Sequence, residues 1–490
     1  MKPILLIFPG YKTKHLRIPF SIITLAAYLR KHGTAVEVLD TRLNDYKDVD
    51  FSKYLLVGLS VVIGDRIKVA YEISKYIKQK FPKTLVVWGG QLPSAYPGVV
   101  CDSGIVDVVV RKEGEETLLD LINSLNNRKP LKNVKGITFK KDGLIVSNPD
   151  RPFLNMKTIP PPAYDLIDLS KYCDSNNPIE METSRGCPHK CKFCYSSFFN
   201  NQHWRAKPVK KVVDEIRYFT TEYSANHFFF LDSNFFVDKK RVLSLCDALI
   251  HEKISVKWSA HIRPDDLAGY SNKEIALMKN AGLNFLRMGA ESGSQRILDV
   301  LEKDIKVGDI RTAVLKCAQQ GVNLSLTFVI GAPGETSEDL KCTIKLCKQI
   351  KRIYPTAYIK EYRIIQLYPG SRLYNEYSPT TSFKNLEELA EYFPLIHIKW
   401  LRKNQLKKLI TLAHITAFFY LRQLFRTQGK NFQKSVLGST KNVLVWKLLL
   451  PLIYTDALLR WKTNFFYCGY EWPLLESITK KVFIGDVDQF

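Results

Sequence analysis

The sequence predicts an α/β protein of two parallel-sheet domains in series, followed by a helical carboxyl-terminal region. Two observations carry this. From Met1 to about Pro149, and again from Ile179 to about Leu373, short apolar runs alternate with stretches whose apolar residues recur at helical spacing; this is the pattern of successive βα units. Between the two blocks, Asn148-Pro149-Asp150-Arg151-Pro152 and Ile159-Pro160-Pro161-Pro162 interrupt all periodicity, as a linker does.

In the first block, strands are expected at Ile4–Phe8, Val36–Leu39, Leu55–Ser60, Leu85–Trp88 and Val106–Val110, with helices at Ile22–Lys31 and Ile67–Phe81. Ligands of such sheets sit at the carboxyl ends of the strands. Those ends carry Pro9-Gly10-Tyr11, Ser60-Val61-Val62, Gly89-Gly90-Gln91-Leu92-Pro93 and Glu113-Gly114-Glu115-Glu116. In the second block, strands are expected at Ile179–Ser184, His227–Leu231, Ser255–His261, Phe285–Gly289, Leu324–Ile330 and Tyr358–Gln366. Six βα units in series suggest a barrel or a partial one. From Leu386 strand patterns fade and basic, apolar helical text takes over. The implied boundaries are a first domain at 1–150, a linker at 151–178, a barrel at 179–375 and a basic helical domain at 376–490, which suits 490 residues better than one core would.

A formal charge of +24 favours anionic partners through steering and local concentration. No zinc-finger, RNP or KH pattern accompanies it, so nucleic acid is not expected. No export signal opens the sequence, and a cytoplasmic protein is expected. The ten cysteines are then thiols or metal ligands rather than a disulfide framework. Seven are scattered and suit small buried hydrophobes; three are clustered.

That cluster stands in Thr183-Ser184-Arg185-Gly186-Cys187-Pro188-His189-Lys190-Cys191-Lys192-Phe193-Cys194-Tyr195. Three thiolates in one loop can hold three corners of a cubane iron–sulfur cluster and leave one iron open. The alternatives are zinc completed by His189 or His203, and a four-Cys cluster using a distant thiol. The loop resembles that of the radical S-adenosylmethionine (AdoMet) superfamily, Cys-x3-Cys-x-aromatic-Cys, with Phe193 in the aromatic place. The resemblance extends to Phe230-Leu231-Asp232-Ser233-Asn234-Phe235, Trp258-Ser259-Ala260-His261-Ile262-Arg263, Gly289-Ala290-Glu291-Ser292-Gly293-Ser294 and Ile330-Gly331-Ala332-Pro333-Gly334-Glu335-Thr336, which look like successive strand ends of that family's partial (βα)6 TIM-type barrel. It implies a [4Fe-4S] cluster on Cys187, Cys191 and Cys194, and AdoMet beside Phe193, Asp232, Ser233, Arg263, Glu291 and Gly331. A barrel-mouth salt bridge is the alternative use of Asp232 or Glu291.

The first domain resembles the Rossmann-like cobalamin-binding domain that precedes the barrel in one branch of the superfamily. Leu25-Ala26-Ala27-Tyr28-Leu29, Gly33 before Val36–Asp40, Val57-Gly58-Leu59-Ser60, Gly89-Gly90 and Glu113-Gly114-Glu115-Glu116-Thr117 carry the likeness. It implies cobalamin contacts from Gly10, Ser60, Val61, Gly89, Gly90, Gln91, Glu113, Gly114 and Glu115. Glycines let backbone approach a flat corrin edge, and Ser60 offers a hydroxyl. Asp-x-His-x-x-Gly, which supplies an axial histidine to cobalt in many cobalamin proteins, is absent, as is usual in this branch. So is Gly-x-Gly-x-x-Gly after the first strand, which argues against a dinucleotide.

Between Arg402 and Thr455 ten Lys and Arg occur without one Asp or Glu, interleaved with Leu409–Ile415, Phe418–Leu421 and Val443–Ile453. That composition fits helices on an anionic membrane surface or a helical cap with solvated charge. The resemblance implies a cobalamin-dependent enzyme that forms a 5′-deoxyadenosyl radical and methylates an unactivated carbon, with electrons from a donor such as flavodoxin or ferredoxin. The alternatives are an oxidative cyclase or ring-rearranging enzyme on a tetrapyrrole or lipid-like substrate, and a non-catalytic corrinoid- or metal-binding regulator.

Overall fold

The protein was analysed as a computed structural model that describes residues 2–13, 16–172, 178–378, 383–392 and 400. The basic segment after Trp400, with Cys468, lies outside the described residues, as do Lys14 and Cys173.

The first sheet contains β1 (Ile4–Phe8), β2 (Val36–Asp40), β3 (Leu56–Ser60), β4 (Leu85–Gly89), β5 (Val108–Val110), β6 (Ile137–Lys141) and β7 (Leu144–Ser147), in spatial order β2-β1-β3-β4-β5-β6-β7. The first five strands are parallel, and β6 and β7 add antiparallel. Apolar runs buried on both faces are what such a sheet requires. Along β1, Ile4, Leu6 and Phe8 join one core while Leu5 and Ile7 join the other. Helix α1 (Phe20–Lys31) contributes to the first core, and α2 (Arg66–Lys80) to the second. The β6–β7 hairpin was not expected from periodicity. Its two-residue turn is Asp142-Gly143, both at positive φ, the chemistry of a tight hairpin.

In the second domain β8 (Ile179–Met181) starts the barrel sheet, and β9 (Ser184–Arg185) pairs antiparallel with β10 (Arg205–Ala206). Then come β11 (His227–Phe230), β12 (Lys257–Ile262), β13 (Leu283–Glu291), β14 (Asn323–Ile330) and β15 (Tyr358–Ile364). The sheet is wholly parallel, in order β15-β14-β13-β12-β11-β8. Spatial order follows chain order, as in a βα barrel, but β15 and β8 remain edges, so the barrel is partial. The expected strand Ile179–Ser184 is interrupted, because the Thr183 amide and hydroxyl both donate to Asp232 instead of entering the ladder.

The segment expected as a plain linker is packed. Leu154, Met156 and Ile159 form a small core with Tyr28, and Tyr164, Leu169 and Tyr172 enter the main one. Beyond the barrel, Phe383, Leu386, Leu389 and Ala390 pack into the core beside α2, so this stretch of the expected carboxyl-terminal domain closes the first domain. Among the described residues, no helix is long and apolar enough to cross a membrane.

Candidate active site and cofactor cavity

The three-cysteine loop runs from β9 to the short helix Tyr195–Phe199. Its middle is pinned to the barrel: the Lys192 amide donates to the Leu301 carbonyl at 2.9 Å, and the Lys192 carbonyl accepts from Leu373 at 2.9 Å. Phe193 packs against an apolar group that includes Leu301, Ala332 and Leu373. Burial raises the Cys187 thiol and pushes Cys194 up to about 11, so metal coordination is what would deprotonate them. Arg263 Nη1 lies 3.7 Å from Cys191 Sγ, and Arg263 Nη2 donates to the Lys303 carbonyl at 2.7 Å. Lys303 is itself buried, with Nζ 2.9 Å from Glu291.

The thiols fit a cubane better than zinc. Zn–S bonds of about 2.3 Å put tetrahedral ligand atoms roughly 4 Å apart, whereas cubane thiolates bind separate irons. Among the described residues, the set whose ligand atoms lie within 4.8 Å of one another is His189, Asp265 and Asp266, not the thiols. His203 is stacked on Phe153. Burial and Arg263 lower His189 to about 4. As for a distant fourth thiol, Cys101 donates to the Thr138 carbonyl and Cys347 accepts from Tyr362.

The residues expected around AdoMet divide into two kinds. Asp232 is buried and accepts from the Thr183 amide, the Thr183 hydroxyl and the Ser184 hydroxyl at 2.7, 2.5 and 2.5 Å, which fixes the entry to the cluster loop. Glu291, at φ +57°, is paired with Lys303. Gly289 makes room for it, since a Cβ there would lie 2.4 Å from Glu291 Oε1. The Gly331 carbonyl accepts from Trp400 Nε1 at 2.9 Å. Ser233, by contrast, faces open space, with its Oγ 3.4 Å from Ser196 Oγ.

That space is a cavity of about 370 Å³ between the two domains. Ser60, Gly89, Gly90, Glu113, Gly114 and Glu115 line it from the first domain, and Arg185, Gly186, Phe199, Asn200 and Ser233 from the second. It continues down between the sheet and α1, beside Leu6, Leu25 and Gly58. A Cβ at Gly58 would meet Leu6 at 2.9 Å, and one at Gly114 would meet Leu25 at 3.1 Å. A polar mouth over a glycine-walled apolar slot fits a corrin edge and its nucleotide tail.

The other three expected cobalamin residues do not line the cavity. Gly10 packs on Arg42 and exchanges hydrogen bonds with Thr41. The Val61 carbonyl lies under Gly90, where φ is +107° and a Cβ would come within 2.6 Å. The Gln91 carbonyl accepts from Tyr195 at 3.4 Å. Sequence reasoning missed Arg185, Asn200 and Lys303 as site residues. Arg185 adjoined the motif and carried a signal; the other two are placed by long-range packing alone. Glu113 shows what the cations do: burial pushes its carboxyl up, yet Arg185 and Arg205 hold it below the ordinary range.

Two family models match the chain: the radical SAM superfamily over residues 181–347 and the B12 binding domain over residues 12–122. An uncharacterized methyltransferase of Pyrococcus horikoshii, PH0819, is 30% identical over 459 residues, covering 89% of this chain and 97% of the relative. The chain belongs to the cobalamin-binding branch of the radical SAM superfamily. The anaerobic magnesium-protoporphyrin IX monomethyl ester cyclase of Rubrivivax gelatinosus is 26% identical, over 70% of this chain and 65% of its own. In fold the protein is similar to the cobalamin-dependent radical enzyme OxsB with aqua-cobalamin and AdoMet bound (TM-score 0.67, 19% identity, 99% of this chain and 84% of that one). It is also similar to the radical AdoMet methyltransferase TsrM from Kitasatospora setae (TM-score 0.64, 18% identity, 77% and 75%). The protein is thus a radical SAM enzyme whose cofactors are a [4Fe-4S] cluster, AdoMet and cobalamin.

Proposed function

We propose that this radical SAM enzyme methylates an unactivated carbon of a small-molecule substrate admitted between its two domains. One observation carries the reading: the cavity walled by Ser60, Gly89, Gly90 and Gly114 is also walled by Arg185 and Gly186, the two residues before Cys187. Methyl donor and radical source would then share one enclosed space. When bound, the cluster and AdoMet supply one-electron radical chemistry, and cobalamin supplies a transferable methyl group.

The chain's own share is holding, orienting and excluding water. Cys187, Cys191 and Cys194 hold the cluster. Arg263 and Lys303 keep two positive charges near Cys191, which would sit beside a bound cluster. Phe193, Ser233 and the Gly331 turn border the AdoMet side, and Glu291 keeps Lys303 in place. Asp232 acts one step removed, through Thr183 and Ser184. The first domain has no Asp-x-His-x-x-Gly, so that motif would offer no histidine to a bound corrin. An electron donor such as flavodoxin or ferredoxin supplies the reductant.

The basic, apolar text from Arg402 to Lys447 supports a lipid-like or polycyclic substrate reached at an anionic membrane face. The test uses methyl-labelled AdoMet and an extract of the host lacking this gene. Labelled product heavier by one methylene unit is expected. An isomer, or a product with oxygen from water, contradicts methylation and favours the cyclase-type reaction of the magnesium-protoporphyrin relatives.

A further inference from the structure

We propose that Arg185 is a positioning residue that ties the cobalamin-binding domain to the cluster loop through Glu115 and Glu113, and so sets the corrin against the cluster. Arg185 leads through Gly186 into Cys187. Its guanidinium reaches Glu115 Oε1 at 2.7 Å and Glu113 Oε1 at 3.2 Å in the first domain, and Glu182 Oε1 at 2.9 Å in its own. The side chains of Arg185, Glu113 and Glu115 are 14%, 10% and 5% exposed.

Both carboxylates flank Gly114, and all three residues line the cavity. One cation therefore grips the cavity wall from the root of the cluster loop. Arg205 adds a second hold on Glu113, at 2.8 Å, and is itself fixed over the Phe153 ring and against Asn200 Oδ1. A guanidinium fork bound to carboxylates on two elements fixes direction as well as distance, which an ammonium does not. Buried ion pairs are poor sources of net stability. They are effective at specifying one arrangement, which is the use assigned here.

The inference rests on the cofactor placement proposed above. The experiment measures the EPR magnetic coupling between cluster and cob(II)alamin, at a potential where both are paramagnetic, in reconstituted full-length protein. Variants are Glu115→Gln, which removes the charge from the shorter of the two cross-domain contacts of Arg185, Arg185→Lys, which keeps the charge without the fork, and Glu116→Gln, which removes a neighbouring ion pair to Arg151 that does not border the cavity. The first two are expected to broaden the cluster-to-cobalt distance distribution read from the coupling by more than the roughly 0.5 Å within which a preorganised site is held. Glu116→Gln is expected to keep the wild-type coupling at equal iron and corrin content, a difference that general destabilisation would not produce.

Wild-type coupling in Glu115→Gln and Arg185→Lys overturns the inference, as does an equal change in Glu116→Gln. Loss of corrin from Glu115→Gln with unchanged coupling in Arg185→Lys makes Glu115 a corrin ligand and also overturns it. A wild-type chain that takes up no iron or no corrin contradicts the underlying cofactor assignment instead.

Discussion

Replacing Gly186 by alanine tests how tightly the cluster loop is set. Gly186 has φ +86°, and a Cβ there would lie 2.2 Å from the His203 carbonyl oxygen. The left-handed backbone alone costs a residue with a Cβ about 1–2 kcal/mol. The clash adds movement: real Cβ contacts do not fall below 3.0 Å, so the two backbones must part by about 0.8 Å. His203 cannot simply yield, because its amide donates to Asn200 and Arg205 pairs with Arg185 in the β9–β10 ladder. Cys187 is next in the chain and takes the displacement. A misplacement of about 1 Å at reacting groups can cost about 100-fold in rate.

The assay is reductive AdoMet cleavage, measured as 5′-deoxyadenosine per iron-loaded protein. Gly143→Ala is the control: its φ is +80° with nothing within 4 Å of the new Cβ, so it carries the backbone strain without the clash. Gly186→Ala is expected to slow cleavage by roughly 100-fold, and Gly143→Ala to leave it unchanged. Cleavage by Gly186→Ala within twofold of wild type, at equal iron content, would refute the reasoning.

Gly58→Leu should fill the apolar slot against Leu6 and weaken corrin binding at least about tenfold, or 1.4 kcal/mol, in a titration followed by absorbance; undiminished affinity would place the nucleotide tail elsewhere. Glu335 bears on pH. Burial raises its carboxyl to about 7, and its Oε1 is buried with no hydrogen-bond partner among the described residues, so the folded state holds the proton more tightly than the unfolded chain. Stability is therefore full below pH 4.5 and is lost as pH rises toward 7, by on the order of 2–3 kcal/mol. Glu335→Gln should abolish that slope and be the more stable protein at pH 8 in denaturant titrations, and an unaltered slope would assign it to other groups. Full-length protein should sediment with anionic vesicles at low salt and release at high salt, since each Lys or Arg near such a surface contributes about 1 kcal/mol and is screened within a Debye length. A form truncated after Trp400 should stay in solution; equal partitioning of the two forms would remove the reason for a lipid-like substrate.

The strands were legible because fully buried parallel strands read as unbroken apolar runs, as in Ile4–Phe8 and Val108–Val110. The candidate cluster loop was legible because its three cysteines are local in sequence. Ser60, Gly89, Gly90 and Gly114 could be found because small residues at carboxyl strand ends are where a parallel sheet admits ligand. Gly10 shares that position, yet Arg42 fills the space beside it, which only tertiary packing decides. The same limit applies to Lys303 and to the partners of Arg185: Arg185 stands in the motif, but Glu113 and Glu115 lie far off in the chain. The hairpin was missed although Asp142-Gly143 announced it, because β7 is largely exposed and lacks an apolar run. The packed linker was missed because Leu154, Met156 and Ile159 are buried without periodicity.

The central claim is that one chain holds cluster, AdoMet and cobalamin as a single methyl-transferring site. Its most direct test is anaerobic reconstitution with iron, sulfide and a corrinoid, followed by incubation with AdoMet, reductant and substrate-containing extract. The account predicts about four irons and one corrinoid per chain, with both 5′-deoxyadenosine and S-adenosylhomocysteine formed. It also predicts that both iron and 5′-deoxyadenosine are lost when Cys187, Cys191 and Cys194 are replaced by alanine. Stoichiometric zinc without iron, or 5′-deoxyadenosine without S-adenosylhomocysteine, would contradict it.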